Sequence, residues 1–152
     1  LAALEQAIAR VGDDIAVDLR LQPFELNPDM APGGEGIDGH IGRKYGLTAA
    51  QMEQNRARLR ERGAAVGVDF AMGARSRIYN TFDAHRLLHW AGLEGGQAAL
   101  KHALLRAYFT EGRDVSNRDI LIGVVAEAGL DAGRARGILV SGTYAEDVRA
   151  DE

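Results

Sequence analysis

A single run of this chain, residues 15–22, carries the alternation of a β-strand, and almost everything around it reads as helix. Ile15, Val17, Leu19 and Leu21 alternate with Ala16, Asp18, Arg20 and Gln22, the two-residue period that sends successive side chains to opposite faces of a sheet. A lone strand leaves a row of backbone N–H and C=O groups unpaired, so it needs neighbours that the remaining residues hardly supply. Just before it, Leu4, Ala7, Ile8 and Val11 form a helical stripe ending at Gly12. A helix feeding a strand is the second half of a βαβ unit, whose first strand would precede Leu1. The expectation is an α/β chain, mostly α, whose sheet is incomplete within these residues. The opening Leu1-Ala2-Ala3-Leu4 and the closing Asp151-Glu152 both fall inside helical patterns, so both ends look cut.

Pro23 and Pro28 end the strand pattern, since neither can donate a backbone hydrogen bond, and they leave Phe24 and Leu26 on a connecting loop. The glycine-rich stretch that follows contains Gly34-x-Gly36-x-x-Gly39, formally a dinucleotide fingerprint. That fingerprint requires a strand directly before the first glycine and a helix opening on the last, and here two prolines intervene. A nucleotide site is therefore rejected.

Helices account for the rest. Ile37, Ile41 and Tyr45 make a short stripe closed by Gly46, and Thr48 caps a longer helix whose Glu and Arg residues read as a solvated face. Residues 67–73 form a short connector around Val68 and Phe70. Asn80, with Asp83 three residues on, marks the start of a helix carrying Ala84, Leu87, Leu88 and Ala91 at i, i+3, i+4 and i+7. His85, Arg86 and His89 lie off the centre of that stripe. After Gly95-Gly96 comes a partner helix with Leu100, Ala103, Leu104, Ala107 and Tyr108, widened by Leu105 and Phe109. The two should pack as a hairpin. Ser116 starts a further helix with Ile120, Leu121, Val124 and Val125, Asp131 starts one with Ala135, Ile138 and Leu139, and residues 144–152 begin another.

Bulk properties narrow the function. With 46% hydrophobic and 26% charged residues over 152 positions, the chain can bury a real core. Its net charge of −4 opposes a phosphate backbone, which argues against nucleic acid. No apolar run approaches the ~20 residues of a membrane span and no signal peptide is evident, so the expected location is cytoplasmic. The sequence has 0 cysteines, which removes disulfides and thiolate nucleophiles from these residues.

Among candidate sites, His85 and His89 stand at the i, i+4 spacing of a zinc pair, but Arg86 occupies the position where the metalloprotease pattern needs Glu, and no third ligand is in view. They read as ordinary helix histidines, and no metal is expected. Nothing around Ser76, Ser116 or Ser141 resembles a nucleophile elbow. The pairs Asp13-Asp14 and Glu146-Asp147 are explained by capping and solvation. Asn80 and Thr81 serve a helix N-terminus, and the free N–H groups there could also form a donor cluster at the lip of a cleft.

Taken together, three segments resemble a known family. They are Gln22-Pro23-Phe24-Glu25-Leu26-Asn27-Pro28-Asp29-Met30, then Asn80-Thr81-x-x-Ala84-His85-Arg86-Leu87-Leu88-x-Trp90-Ala91, then Leu105-x-Ala107-Tyr108-Phe109-Thr110-Glu111-Gly112-Arg113-Asp114. In this order they are similar to the DsbA-like thioredoxin-fold dithiol-disulfide isomerases and oxidoreductases of the FrnE type, often linked with polyketide biosynthesis. The resemblance implies a thioredoxin-like domain with a large inserted all-helical domain. Residues 1–36 would belong to the thioredoxin-like part, 37–141 to the insertion, and 142–152 to a return helix.

The family's Cys-x-x-Cys would fall before Leu1 and its cis-proline loop after Glu152, leaving no catalytic residue in this chain. Phe24, Asn80, Thr81 and His85 would face the substrate cleft. The implied partner is a protein or small-molecule thiol or disulfide, with no cofactor, and an uncovered sheet edge would favour a homodimer. Two other readings stand beside this one. One is a non-catalytic helical module that holds an apolar small molecule or peptide. The other is a glutathione-dependent isomerase of the 2-hydroxychromene-2-carboxylate type, which shares the inserted-helix plan.

Overall fold

The computed structural model describes residues 1–12, 15–71, 73 and 75–152. In chain order the elements are α1 (Ala2–Val11), β1 (Glu35–Gly36), α2 (Ile37–Tyr45), α3 (Ala49–Ala64), β2 (Arg77–Ile78), α4 (Phe82–Leu93), α5 (Gln97–Leu105), α6 (Arg118–Glu127), α7 (Ala132–Ser141) and α8 (Ala145–Asp151). Helix α5 runs directly into a π-helical turn, Arg106–Thr110. The Asp13-Asp14 pair lies outside the described residues.

The starts of α3, α6 and α7 follow from side-chain caps. The Thr48 side chain accepts a hydrogen bond from the Gln51 N–H while the Gln51 side chain accepts one from the Thr48 N–H, a reciprocal capping box that opens α3. Asp131 Oδ1 accepts from the N–H groups of Gly133 and Arg134 at 2.7 and 3.0 Å and opens α7. Gly46 ends α2 in the left-handed conformation at φ 64°. Helix α6 differs from expectation, because Asn117 caps it. Ser116 is spent elsewhere: its hydroxyl donates to the Pro32 carbonyl at 3.0 Å and ties two loops together.

The core lies among α4, α5, α6 and α7, which contact one another in a closed ring, with α8 packed on α4. Leu87, Trp90, Leu100, Leu121, Val124, Val125 and Leu139 are almost completely buried there, each worth about 1.5–3 kcal/mol relative to exposure. The apolar stripes read from the sequence are the faces that meet, and α4 and α5 form the expected hairpin. Arg86 is the exception, since it retains only 2% of its surface. Its guanidinium pairs with Asp83 Oδ1 at 2.6 Å, donates to the Thr143 carbonyl at 3.0 Å, and also donates to the Ile138 carbonyl. One side chain thus joins the first turn of α4 to the end of α7 and the turn before α8.

The strand expected over residues 15–22 joins no ladder among the described residues. Ile15, Val17 and Leu19 are exposed at 58, 48 and 39%, so an alternating pattern suited to a half-buried sheet has nothing against it. Leu21 is held by a side chain: Gln97 Oε1 accepts from the Leu21 N–H at 3.2 Å and Gln97 Nε2 donates to the Leu21 carbonyl at 2.9 Å. The Gln97 amide supplies the donor and acceptor that a neighbouring strand would have offered. Helix α1 is likewise without a buried residue. The observed sheet is the antiparallel pair β1 and β2, in the register Glu35 opposite Ile78 and Gly36 opposite Arg77. It is built from residues that carry no strand pattern.

Gly34 makes that pair feasible. It sits at φ +62°, and a Cβ there would stand 2.1 Å from the Ile78 carbonyl oxygen. Of the apparent dinucleotide fingerprint, Gly34 therefore serves close backbone approach, Gly36 ends β1 ahead of α2, and Gly39 lies inside α2. No helix of the described residues is long and apolar enough to cross a membrane.

Removing the Arg86 guanidinium leaves the Thr143 carbonyl and part of the Asp83 carboxylate without their donor, and the Ile138 carbonyl with only a long bond from the Ser141 hydroxyl at 3.4 Å. Arg86→Met is expected to lower the free energy of unfolding by about 3 kcal/mol, read from urea denaturation.

Candidate functional site

The arithmetic that puts Leu87 and Ala91 into the core also defines a second face of α4. Thr81, Ala84, His85 and Leu88 fall at i, i+3, i+4 and i+7, and all of them border a cavity of about 330 Å³. The opposite wall comes from Lys101, Leu104 and Leu105 of α5 and from Tyr108 and Phe109 of the π-helical turn. Ile78 and Tyr79 close one end, α2 contributes His40, Ile41 and Lys44, and Phe24 and Leu26 stand at the mouth. The lining is mainly apolar, with polar groups placed singly, as in small-molecule sites.

The π-helical turn is what brings two consecutive aromatic residues to the wall. Ala71 donates its N–H to the Phe109 carbonyl at 3.0 Å, Thr110 Oγ1 donates to the Asp69 carbonyl at 2.8 Å, and the Tyr108 hydroxyl donates to the Arg77 carbonyl at 3.0 Å. Against the two rings lies Arg75, its guanidinium carbon 4.6 Å from the Tyr108 centroid and 4.8 Å from that of Phe109. Arg75 Nε is buried without a hydrogen-bond partner among the described residues.

His85 is the most perturbed group. Burial pushes its pKa down from 6.5 to about 4, repulsion from Lys101 adds to the shift, and Glu152 together with a hydrogen bond to the Phe24 backbone acts in the opposite direction. The imidazole is therefore neutral at physiological pH. Burial also lowers the pKa of Lys101. On the far side, His40 is hydrogen-bonded to Glu35 and to Asn27 Oδ1, the latter at 3.1 Å. Its bond to Glu35, with Arg43 assisting, holds that carboxyl below the usual range.

Of the four residues assigned to the cleft, the structure brings Phe24, Thr81 and His85 to this cavity and leaves Asn80 outside its lining. Asn80 Oδ1 accepts from the Phe82 N–H at 2.9 Å and its Nδ2 donates to the Met30 carbonyl at 3.2 Å. It starts α4 and anchors the loop after Pro28. His89 points elsewhere, with its ring 5.2 Å from the Tyr144 ring and its Nδ1 3.7 Å from Asp151. Among the described residues no group of three His, Asp or Glu side chains could hold a metal ion. The sequence reading missed Arg75, which falls in a featureless connector, and Lys101, which looks like a solvated helix residue. Tyr108 and Phe109 read as extra core; only the switch to π-helical geometry turns both towards the cavity.

Because the unfolded chain takes up a proton on His85 near pH 6.5 and the folded chain does so only near 4, stability falls as pH drops through that window. The loss is on the order of 3 kcal/mol at its end. Urea midpoints measured from pH 7 to 4 should show this slope, and the His85→Gln variant should show a flatter one.

Comparison with known proteins agrees with this architecture. The model of the DsbA-like thioredoxin domain matches residues 2–152. The chain superimposes on the crystal structure of a probable DsbA oxidoreductase from Streptomyces coelicolor with a TM-score of 0.91 and 34% sequence identity, over 99% of this chain and 65% of that one. It thus spans less than two thirds of that protein's length. No curated protein matches the chain. A mostly helical DsbA-like thioredoxin fold with an incomplete sheet accounts for the uncovered 15–22 segment and for the unburied α1. The chain belongs to the DsbA-like thioredoxin-domain family.

Proposed function

We propose that this chain is part of a thiol-disulfide oxidoreductase or isomerase of the FrnE type, and that its catalytic Cys-x-x-Cys and cis-proline lie outside these 152 residues. The observation that carries the reading is the match over 99% of the chain, at 34% identity, to a protein described as a probable DsbA oxidoreductase. Supporting it, the chain spans 65% of that protein and contains 0 cysteines.

In this reading residues 1–36 belong to the thioredoxin-like part, 37–141 form the inserted helical domain and 142–152 return towards the first. The exposed side chains of Ile15, Val17 and Leu19 are a face that the rest of the thioredoxin-like part would cover, while further strands would pair with the backbone edges of this segment. A thiolate of the redox pair attacks a substrate disulfide, one substrate sulfur leaves as a thiolate, and the second cysteine resolves the mixed disulfide. The residues of this chain bind and orient the substrate. Phe24 supplies apolar contact at the mouth of the cavity, while Thr81 and neutral His85 offer hydrogen-bonding groups that need no counter-ion; Asn80 supports them from behind by fixing the start of α4. Proteins or small molecules with thiol or disulfide groups are the substrates, and the cytoplasm is the compartment.

The full-length protein is expected to catalyse dithiothreitol-dependent reduction of insulin disulfides or the reshuffling of scrambled ribonuclease. Absence of both activities would remove the redox assignment.

A further inference from the structure

Arginine carries nearly all the positive charge of this chain. Of its 18 Lys and Arg residues only Lys44 and Lys101 are lysine, and both line the cavity. The difference is chemical, because a guanidinium stays protonated in a protein whereas a desolvated lysine can release its proton and become a nucleophile. The two lysines stand in unlike surroundings. Lys44 is exposed, and its ammonium donates to Asn27 Oδ1 at 2.7 Å and to the Leu26 carbonyl at 3.1 Å. Lys101, on α5, is partly buried and has neither an ion-pair nor a hydrogen-bond partner among the described residues; burial alone acts on it and lowers its pKa. Carboxylates border its outer side, but each is engaged: Glu5 with His102 at 2.7 Å, Asp18 with Arg20 at 2.8 Å and Asp151 with His89 at 3.7 Å. On the inner side Leu88, Leu104 and Leu105 make an apolar wall, and neutral His85 offers no counter-charge.

An amine placed this way, on the wall of a mainly apolar cavity of about 330 Å³, meets small uncharged molecules before it meets anything else. We propose that Lys101 is a nucleophilic amine that forms an imine with a small apolar aldehyde held in this cavity. The amine nitrogen attacks the carbonyl carbon, the N–C bond forms as the carbonyl π pair moves to oxygen, and a proton passes from nitrogen to that oxygen to give a carbinolamine. Loss of water then leaves the imine, with no oxidant or reductant consumed. The apolar wall favours the uncharged aldehyde over a hydrated one and leaves the unprotonated amine without a competing anion. This reactivity needs no cysteine, so it stands apart from the thiol-disulfide reading.

Lys44 is a built-in reference for the test. The unmutated protein is treated at neutral pH with hexanal and sodium cyanoborohydride, which reduces imines to stable amines, and the alkylation of each lysine is followed by peptide mass spectrometry. In the folded protein Lys101 should be alkylated at least about tenfold faster than Lys44. In urea, where Lys101 is rehydrated, the two rates should come within about twofold of each other. An excess of 1-hexanol, which fills the cavity without reacting, should slow Lys101 and leave Lys44 unchanged. Equal rates in the folded protein, slower reaction at Lys101, a preference that survives in urea, or indifference to hexanol would each overturn the proposal. Because the readout is amine modification, its outcome is independent of insulin or ribonuclease turnover.

Discussion

The buried guanidinium of Arg86 fixes the geometry on which the rest of this molecule depends. It ties together three polar groups from separate parts of the chain: the Asp83 carboxylate and the carbonyls of Ile138 and Thr143. Arginine suits this position because its planar fork offers five donors in fixed directions, whereas a lysine ammonium would be a single point. Asp83 is pinned in turn from outside by Arg118 at 2.8 Å. The result is a helix whose roll about its own axis is set. With Arg86 locked on one side, Thr81, His85 and Leu88 must face the other, and that is where the cavity lies.

The cavity is assembled from pieces that the chain keeps far apart: the loop around Phe24, helix α2, the segment after β2, and the faces of α4 and α5 with its π-helical turn. Its apolar residues could have been core. Its polar ones work against stability, since burial depresses both the His85 imidazole and the Lys101 ammonium. A fold that holds two desolvated basic groups next to each other is spending stability that a plain core would retain, and sites that bind or react are where proteins tolerate such an expense.

Much of this organisation was legible in the sequence. The 3.6-residue periodicity identified the buried stripes of α4 to α7, and the caps at Thr48, Asp131 and Gly46 marked helix ends to within a residue. The two-residue period of residues 15–22 was legible too, but a pattern states only that a segment is suited to a sheet. Whether it lies in one depends on partners, and among the described residues it meets the Gln97 amide instead. The converse holds for β1 and β2, which pair without any strand pattern because Gly34 allows the backbones to approach.

Local order, then, was determined by the sequence itself, because helix periodicity and capping act over four or five residues and need no distant information. So was family membership, carried by motifs such as Asn80-Thr81-x-x-Ala84-His85-Arg86. Tertiary structure decided the rest. It buried Arg86, which looked peripheral, sent His85 and His89 to different surroundings, and took Asn80 out of the cavity lining. It also placed Arg75 against Tyr108 and Phe109 across more than thirty residues of chain. Burial, desolvation and charge pairing depend on which elements meet, and no spacing along the chain encodes that meeting.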